Sequence, residues 1–107
     1  MTKQHIQSIE EFDALIEQDK PFVFFKHSLT CPISKNAFVE YEAFTKQNEN
    51  VQSYYLHVQT DRELSNYIAE KTGIRHESPQ ALVFDNGSVK WHASHSKITA
   101  DSLMKNL

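Results

Sequence analysis

The run Phe22-Val23-Phe24-Phe25 constrains this chain more than any other stretch. Bounded by Pro21 and Lys26, it leaves no polar face, so a strand built from it has to be covered on both sides. Such a strand sits in the middle of a sheet with helices on its faces. The run is far short of the roughly 20 apolar residues that cross a bilayer, and no apolar run in the chain is longer. With 107 residues the chain has the size of one domain, read here as residues 1–107. Its 7 Phe, 4 Tyr and 1 Trp suffice to fill an interior and argue against disorder.

The rest of the chain supplies the partners of that strand. Ser8-Ile9-Glu10-Glu11 has the form of a capping box, and Ile9, Phe12, Leu15 and Ile16 share a face, predicting a helix over Ser8 to Gln18. Asp19-Lys20-Pro21 stops it. Pro32 suits a first helical position, and Ser34, Ala37, Phe38, Tyr41 and Phe44 line one side of a helix ending near Gln47. Val51 to Gln59 reads as a strand, and Thr60-Asp61-Arg62-Glu63 as the capping box of a helix that ends at Gly73. Residues 80–84, the turn 85–88 and residues 89–92 form a hairpin. A last helix runs from Thr99 to Leu107, with Ile98 and Leu103 as its hydrophobic staple. The order is αβαβαββα, with a short extra strand at His5 to Gln7 as an option, and it implies an α/β fold: a mixed sheet of four to five strands with helices on both faces.

Ligands in such sheets gather at the carboxyl ends of the strands. Cys31, the only cysteine, lies five residues beyond Lys26 at that end of the central strand, directly before a helix. A thiol attacks as its thiolate, which helix-start amides and the helix dipole favour. Because Pro32 disfavours helical geometry at Cys31, the sulfur is expected to face the N–H groups of Ile33 and Ser34. Lys26, His27, Lys35, Arg75 and His76 are the cationic or titratable side chains available to support it. The alternative, an inert buried cysteine, fits poorly with Thr30 and Pro32, which belong to a turn. Ser78-Pro79, between an extended loop and an apolar strand, is a setting in which an X-Pro bond adopts the cis form, although trans is the commoner isomer.

The unit strand-Cys31-Pro32-Ile33-Ser34-helix, followed by strand, helix, Ser78-Pro79, hairpin and helix, resembles the thioredoxin and glutaredoxin superfamily over nearly the whole chain. More narrowly, Phe24-Phe25-Lys26-His27-Ser28 and Thr30-Cys31-Pro32-Ile33-Ser34, with Ser78-Pro79-Gln80, are similar to the monothiol bacilliredoxins, thioredoxin-like proteins of the bacillithiol system in certain Gram-positive bacteria. The resemblance implies a cis Pro79 against the active-site sulfur, with Thr30, Ser78 and Gln80 along the substrate groove. Ser34 stands in the place of a resolving cysteine, so any mixed disulfide at Cys31 has to be released by an external thiol. For Ser34 itself two readings stand: a hydrogen bond to the sulfur, or a first-turn helix residue.

The implied function is thiol–disulfide exchange that strips bacillithiol from S-bacillithiolated proteins, with Cys31 as nucleophile, bacillithiol as co-substrate and no bound cofactor. Two alternatives belong to other classes: a monothiol glutaredoxin-like iron–sulfur carrier, and a non-catalytic thioredoxin-fold binding module. Scattered Lys and Arg and a net charge of −3 give no footprint for nucleic acid, and the chain has no Gly-rich phosphate loop. His92 and His95, with His57 as a third, have weak spacing for a metal site, and none is expected. Met1-Thr2-Lys3-Gln4-His5 lacks the apolar stretch of a secretory signal, and one cysteine cannot close an internal disulfide, so a cytoplasmic location without a membrane anchor is expected.

Overall fold

The computed structural model describes residues 3–18 and 20–107. The reading of Met1-Thr2 as free of a signal and of Asp19 as part of a helix stop lies outside the described residues. Along the chain run β1 (Lys3–His5), α1 (Ile9–Glu17), β2 (Phe22–His27), α2 (Pro32–Gln47), β3 (Gln52–His57), α3 (Arg62–Thr72), β4 (Gln80–Asp85), β5 (Ser88–Ser94), a 3-10 turn (His95–Lys97) and α4 (Ala100–Lys105). The five strands form one sheet in the order β1-β3-β2-β4-β5. β1 and β2 flank β3 in parallel, whereas β4 is antiparallel to both β2 and β5. β2 is the central strand, and Phe22 to Phe25 are all buried.

Alternation along β2 divides the interior in two. Phe22 and Phe24 face a core with Phe12 and Leu15 of α1 and Leu64 and Ile68 of α3. Val23 and Phe25 face a second core with Ala37, Tyr41 and Phe44 of α2 and Leu103 of α4. The period of 2 in the strand thus meets helical stripes on each side. Each fully buried Phe contributes about 1.5–3 kcal/mol through apolar burial.

Local signals fix most element ends. Ser8 and Glu11 form the reciprocal capping box of α1, and Thr99 with Ser102 does the same for α4. Gly73 ends α3 at φ 72°, and Asn86 and Gly87 turn the hairpin with φ of 55° and 80°, the left-handed pair of a type I′ turn. Three expectations are corrected. The first strand is Lys3–His5 rather than His5–Gln7, because pairing with residues 53–55 of β3 defines it. The cap of α3 is Asp61, not Thr60, and its carboxylate makes no capping hydrogen bond because histidine groups engage it. The last helix stops at Lys105. Between β5 and α4 lies a 3-10 turn, His95–Lys97, that the order αβαβαββα does not include. Among the described residues no helix is long and apolar enough to cross a membrane.

Candidate active site

Central strand β2 delivers the chain to Cys31, the N-cap residue of α2. Pro32 occupies the first helical position, and Cys31 is extended at φ −98° and ψ 123°, as the proline requires. Its carbonyl accepts the Lys35 N–H at 3.1 Å, and the residue is partly exposed, with a free thiol. The sulfur makes no capping hydrogen bond, so the expected contact with the Ile33 and Ser34 amides is not formed.

Ser34 is fully buried, and its hydroxyl turns inward. It accepts the Ser28 N–H at 2.8 Å and lies 2.9 Å from His27 Nδ1. Of the two readings of Ser34, the hydrogen bond to sulfur is not the one realised. The residue in the resolving position instead pins the β2–α2 loop to the first turn of α2.

Gln59, which sequence reasoning did not single out, holds the same loop from the other side. Its Oε1 accepts the Leu29 N–H at 3.0 Å, and its Nε2 donates to Ser28 Oγ at 2.8 Å and Thr30 Oγ1 at 3.1 Å. The available signal was position: Gln59 follows β3, whose carboxyl end adjoins that of β2, where Val58 N–H reaches His27 O at 2.8 Å.

The cationic side chains divide between the two faces of the sheet. Lys26 is fully buried, and its ammonium donates to Ser65 O at 3.0 Å and His76 Nδ1 at 3.3 Å, on the α3 side. Burial pulls its pKa down to about 8. His27 lies on the α2 side, stacked on Phe38 at a centroid distance of 4.3 Å. Burial and then repulsion from His57 lower its pKa. Among the described residues, no side-chain hydrogen bond or ion pair joins Lys26, Lys35, Arg75 or His76 to the Cys31 sulfur.

On the other flank, the Ser78-Pro79 bond is cis. Gln80 pairs with Lys26 in the sheet, so Pro79 stands at the level where β2 passes into the Cys31 loop. The Pro79 carbonyl accepts the His95 N–H at 3.1 Å, and His95 has a φ of 56°. Gln80 Nε2 donates to Arg75 O at 2.9 Å, whereas Gln80 Oε1 and Ser78 Oγ are buried without a partner. Between α2 and the 3-10 turn runs a groove of about 420 Å³, with Ile33 and Asn36 on one wall and His95 and Ile98 on the other. Leu29 and Ile33, on either side of Cys31, are about half exposed.

The histidines group differently from the spacing considered for a metal. His57 stands with His5 and Asp61, and neither His92 nor His95 joins them.

The fold of this chain, a parallel core with an antiparallel hairpin at one edge, is shared with known structures. A structure described as a candidate oxidoreductase with a thioredoxin fold is 42% identical, with a TM-score of 0.92 over 98% of this chain and 93% of its own. Thioredoxin from Trypanosoma brucei brucei is 16% identical, with a TM-score of 0.77 over 95% of this chain and 84% of its own. Oxidised thioredoxin from Plasmodium falciparum is 21% identical, with a TM-score of 0.74 over 97% and 93%. At those identities the two thioredoxins speak for the fold alone. Fold and site together define a thiol oxidoreductase of thioredoxin fold. More narrowly, the family model described as monothiol bacilliredoxin BrxC matches residues 4–103, and the chain belongs to that family.

Proposed function

We propose that this protein removes bacillithiol from S-bacillithiolated proteins by a monothiol mechanism centred on Cys31. The Cys31 thiolate attacks the bacillithiol sulfur of the client's mixed disulfide. The client cysteine leaves as its thiolate and takes up a proton, and Cys31 becomes joined to bacillithiol. A second bacillithiol thiolate then attacks the bacillithiol sulfur of that adduct, releasing the symmetrical disulfide and restoring Cys31. Two electrons pass from bacillithiol to the client, and no bound cofactor takes part.

The observation that carries this reading is a single, partly exposed cysteine at a helix start, with the buried Ser34 hydroxyl in the resolving position, in a chain of the bacilliredoxin family. Without a second thiol, release depends on a small thiol from outside, which sets the reaction in a reducing cytoplasm. By the family resemblance, Ser78, Pro79 and Gln80 are assigned to the substrate groove, and Thr30, Pro32 and Ile33 to the motif around the sulfur. His27 acts through Ser34 as a positioning residue.

Mass spectrometry of the protein after incubation with a bacillithiolated client tests the proposal. Transfer of one bacillithiol to Cys31, its loss on adding free bacillithiol, and no transfer to Cys31→Ser are expected. A client that keeps its adduct would overturn it.

A further inference from the structure

We propose that His5, His57 and Asp61 form a binding site for a divalent first-row transition ion, zinc being the reference case, separate from Cys31. Three segments converge to make it. His5 ends β1, His57 ends β3, and Asp61 caps α3. Parallel pairing sets His5 opposite Tyr55, so His57, two residues further on the same face, comes beside the His5 ring at a centroid distance of 4.4 Å. One donor atom from each of the three residues lies within 4.8 Å of the others. In a tetrahedral zinc site with bonds of about 2.0–2.1 Å the ligand atoms stand about 3.3 Å apart, a separation that side-chain rotation can reach.

Asp61 is the most informative member. An aspartate at a helix N-cap ordinarily accepts the first free amides of its helix. Here it forgoes them, and the largely buried carboxylate uses Oδ2 to accept the His57 N–H at 2.9 Å and to meet His5 Nε2 at 2.7 Å. A capping rule broken at a buried charge that faces two imidazoles is the kind of local exception found at functional positions. The His57 amide also supplies the outer hydrogen bond that orients a ligating carboxylate in metal centres. Two imidazoles and a carboxylate suit zinc and its borderline neighbours, rather than the all-oxygen cages of calcium and magnesium or the thiolates favoured by copper(I). Three protein ligands leave a fourth position for water or an exchangeable ligand. His27, 5.9 Å from His57 between ring centroids, is not among the residues whose donor atoms converge here.

Calorimetric titration of Zn²⁺ into Cys31→Ser tests the site without a thiol to capture the ion, and independently of the redox reading. One ion per chain is expected, with affinity falling at least about ten-fold in His57→Ala and in His5→Gln, each added to that background. The double variant His92→Ala, His95→Ala should bind unchanged. Both His5 and His57 are partly exposed, and if one variant fails to fold the other carries the test. Co²⁺ in the same protein should give the visible absorption of a tetrahedral nitrogen–oxygen site, lost in His57→Ala or His5→Gln. Failure to bind one Zn²⁺ per chain, or binding that survives His57→Ala and His5→Gln, overturns the proposal.

Discussion

The Ser34 hydroxyl lies 2.9 Å from His27 Nδ1 and accepts the Ser28 N–H at 2.8 Å, so the residue three positions after Cys31 bonds to the loop that presents the sulfur. Ser34→Ala removes both contacts and leaves a buried amide and an imidazole nitrogen without partners. A stability loss of about 1–3 kcal/mol is expected, since unmaking a buried hydrogen bond costs the desolvation of the group left behind. Urea unfolding measures it, and amide exchange should rise at Ser28. An unchanged midpoint with unchanged Ser28 exchange would show that the anchor is idle.

Gln59 supports the same loop through a more exposed set of bonds, reaching Leu29, Ser28 and Thr30 at 2.8 to 3.1 Å. Because water competes for exposed partners, Gln59→Ala should cost little in stability, about 1 kcal/mol. Its effect should fall on the loop: faster exchange of the Leu29 amide, and slower transfer of bacillithiol to Cys31 as the loop samples more conformations. Exchange mass spectrometry and single-turnover kinetics read the two effects separately.

Much of this architecture was legible because it is written locally. The Phe22–Phe25 run marks the central strand, Pro32 starts α2, and Ser8, Thr99, Gly73 and the Asn86-Gly87 turn place four boundaries through their own side chains or backbone freedom. Features made by distant parts of the chain were not legible. β1 has three residues and exists through pairing with β3. The capping box that starts at Thr60 is not formed: the N-cap is Asp61, and its carboxylate meets His5, 56 residues away. The same holds for Gln59, whose role depends on residues about 30 positions earlier, and for Lys26, whose partners Ser65 and His76 lie 39 and 50 positions away. Strand alternation alone would have put Lys26 on the Phe22 and Phe24 side of the sheet, away from α2.

Ile33 and Leu29 are apolar, about half exposed, and each two positions from Cys31 where the chain enters α2. In the proposed reaction a protein client covers them, whereas a small disulfide does not need to. Ile33→Ser should therefore raise KM for a bacillithiolated protein about five-fold, corresponding to roughly 1 kcal/mol of lost apolar burial. Its reaction with a small-molecule disulfide should be unaltered. Equal effects on both substrates would place Ile33 in the handling of the sulfur rather than of the client.

Lys26 gives the fold a pH dependence whose sign follows from burial. Its folded-state pKa is about 8 and its unfolded value 10.5. Below about 8 both states carry the proton, and the folded state bears the full cost of an ammonium in the core. Between the two values the unfolded chain binds the proton more tightly than the folded one, so raising the pH through this window favours folding. Above 10.5 both forms are neutral and the cost is gone. A shift of this size corresponds to about 3 kcal/mol at 1.36 kcal/mol per pH unit. The Tyr and other Lys side chains titrate in the same range, so the quantity to measure is the stability of the wild type minus that of Lys26→Met, by urea unfolding at each pH. That difference should increase by about 3 kcal/mol as the pH rises from about 7 to about 10.5. A difference that stays flat would mean that Ser65 O and His76 Nδ1 compensate the buried charge fully, and that Lys26 sits in the central strand at no electrostatic cost.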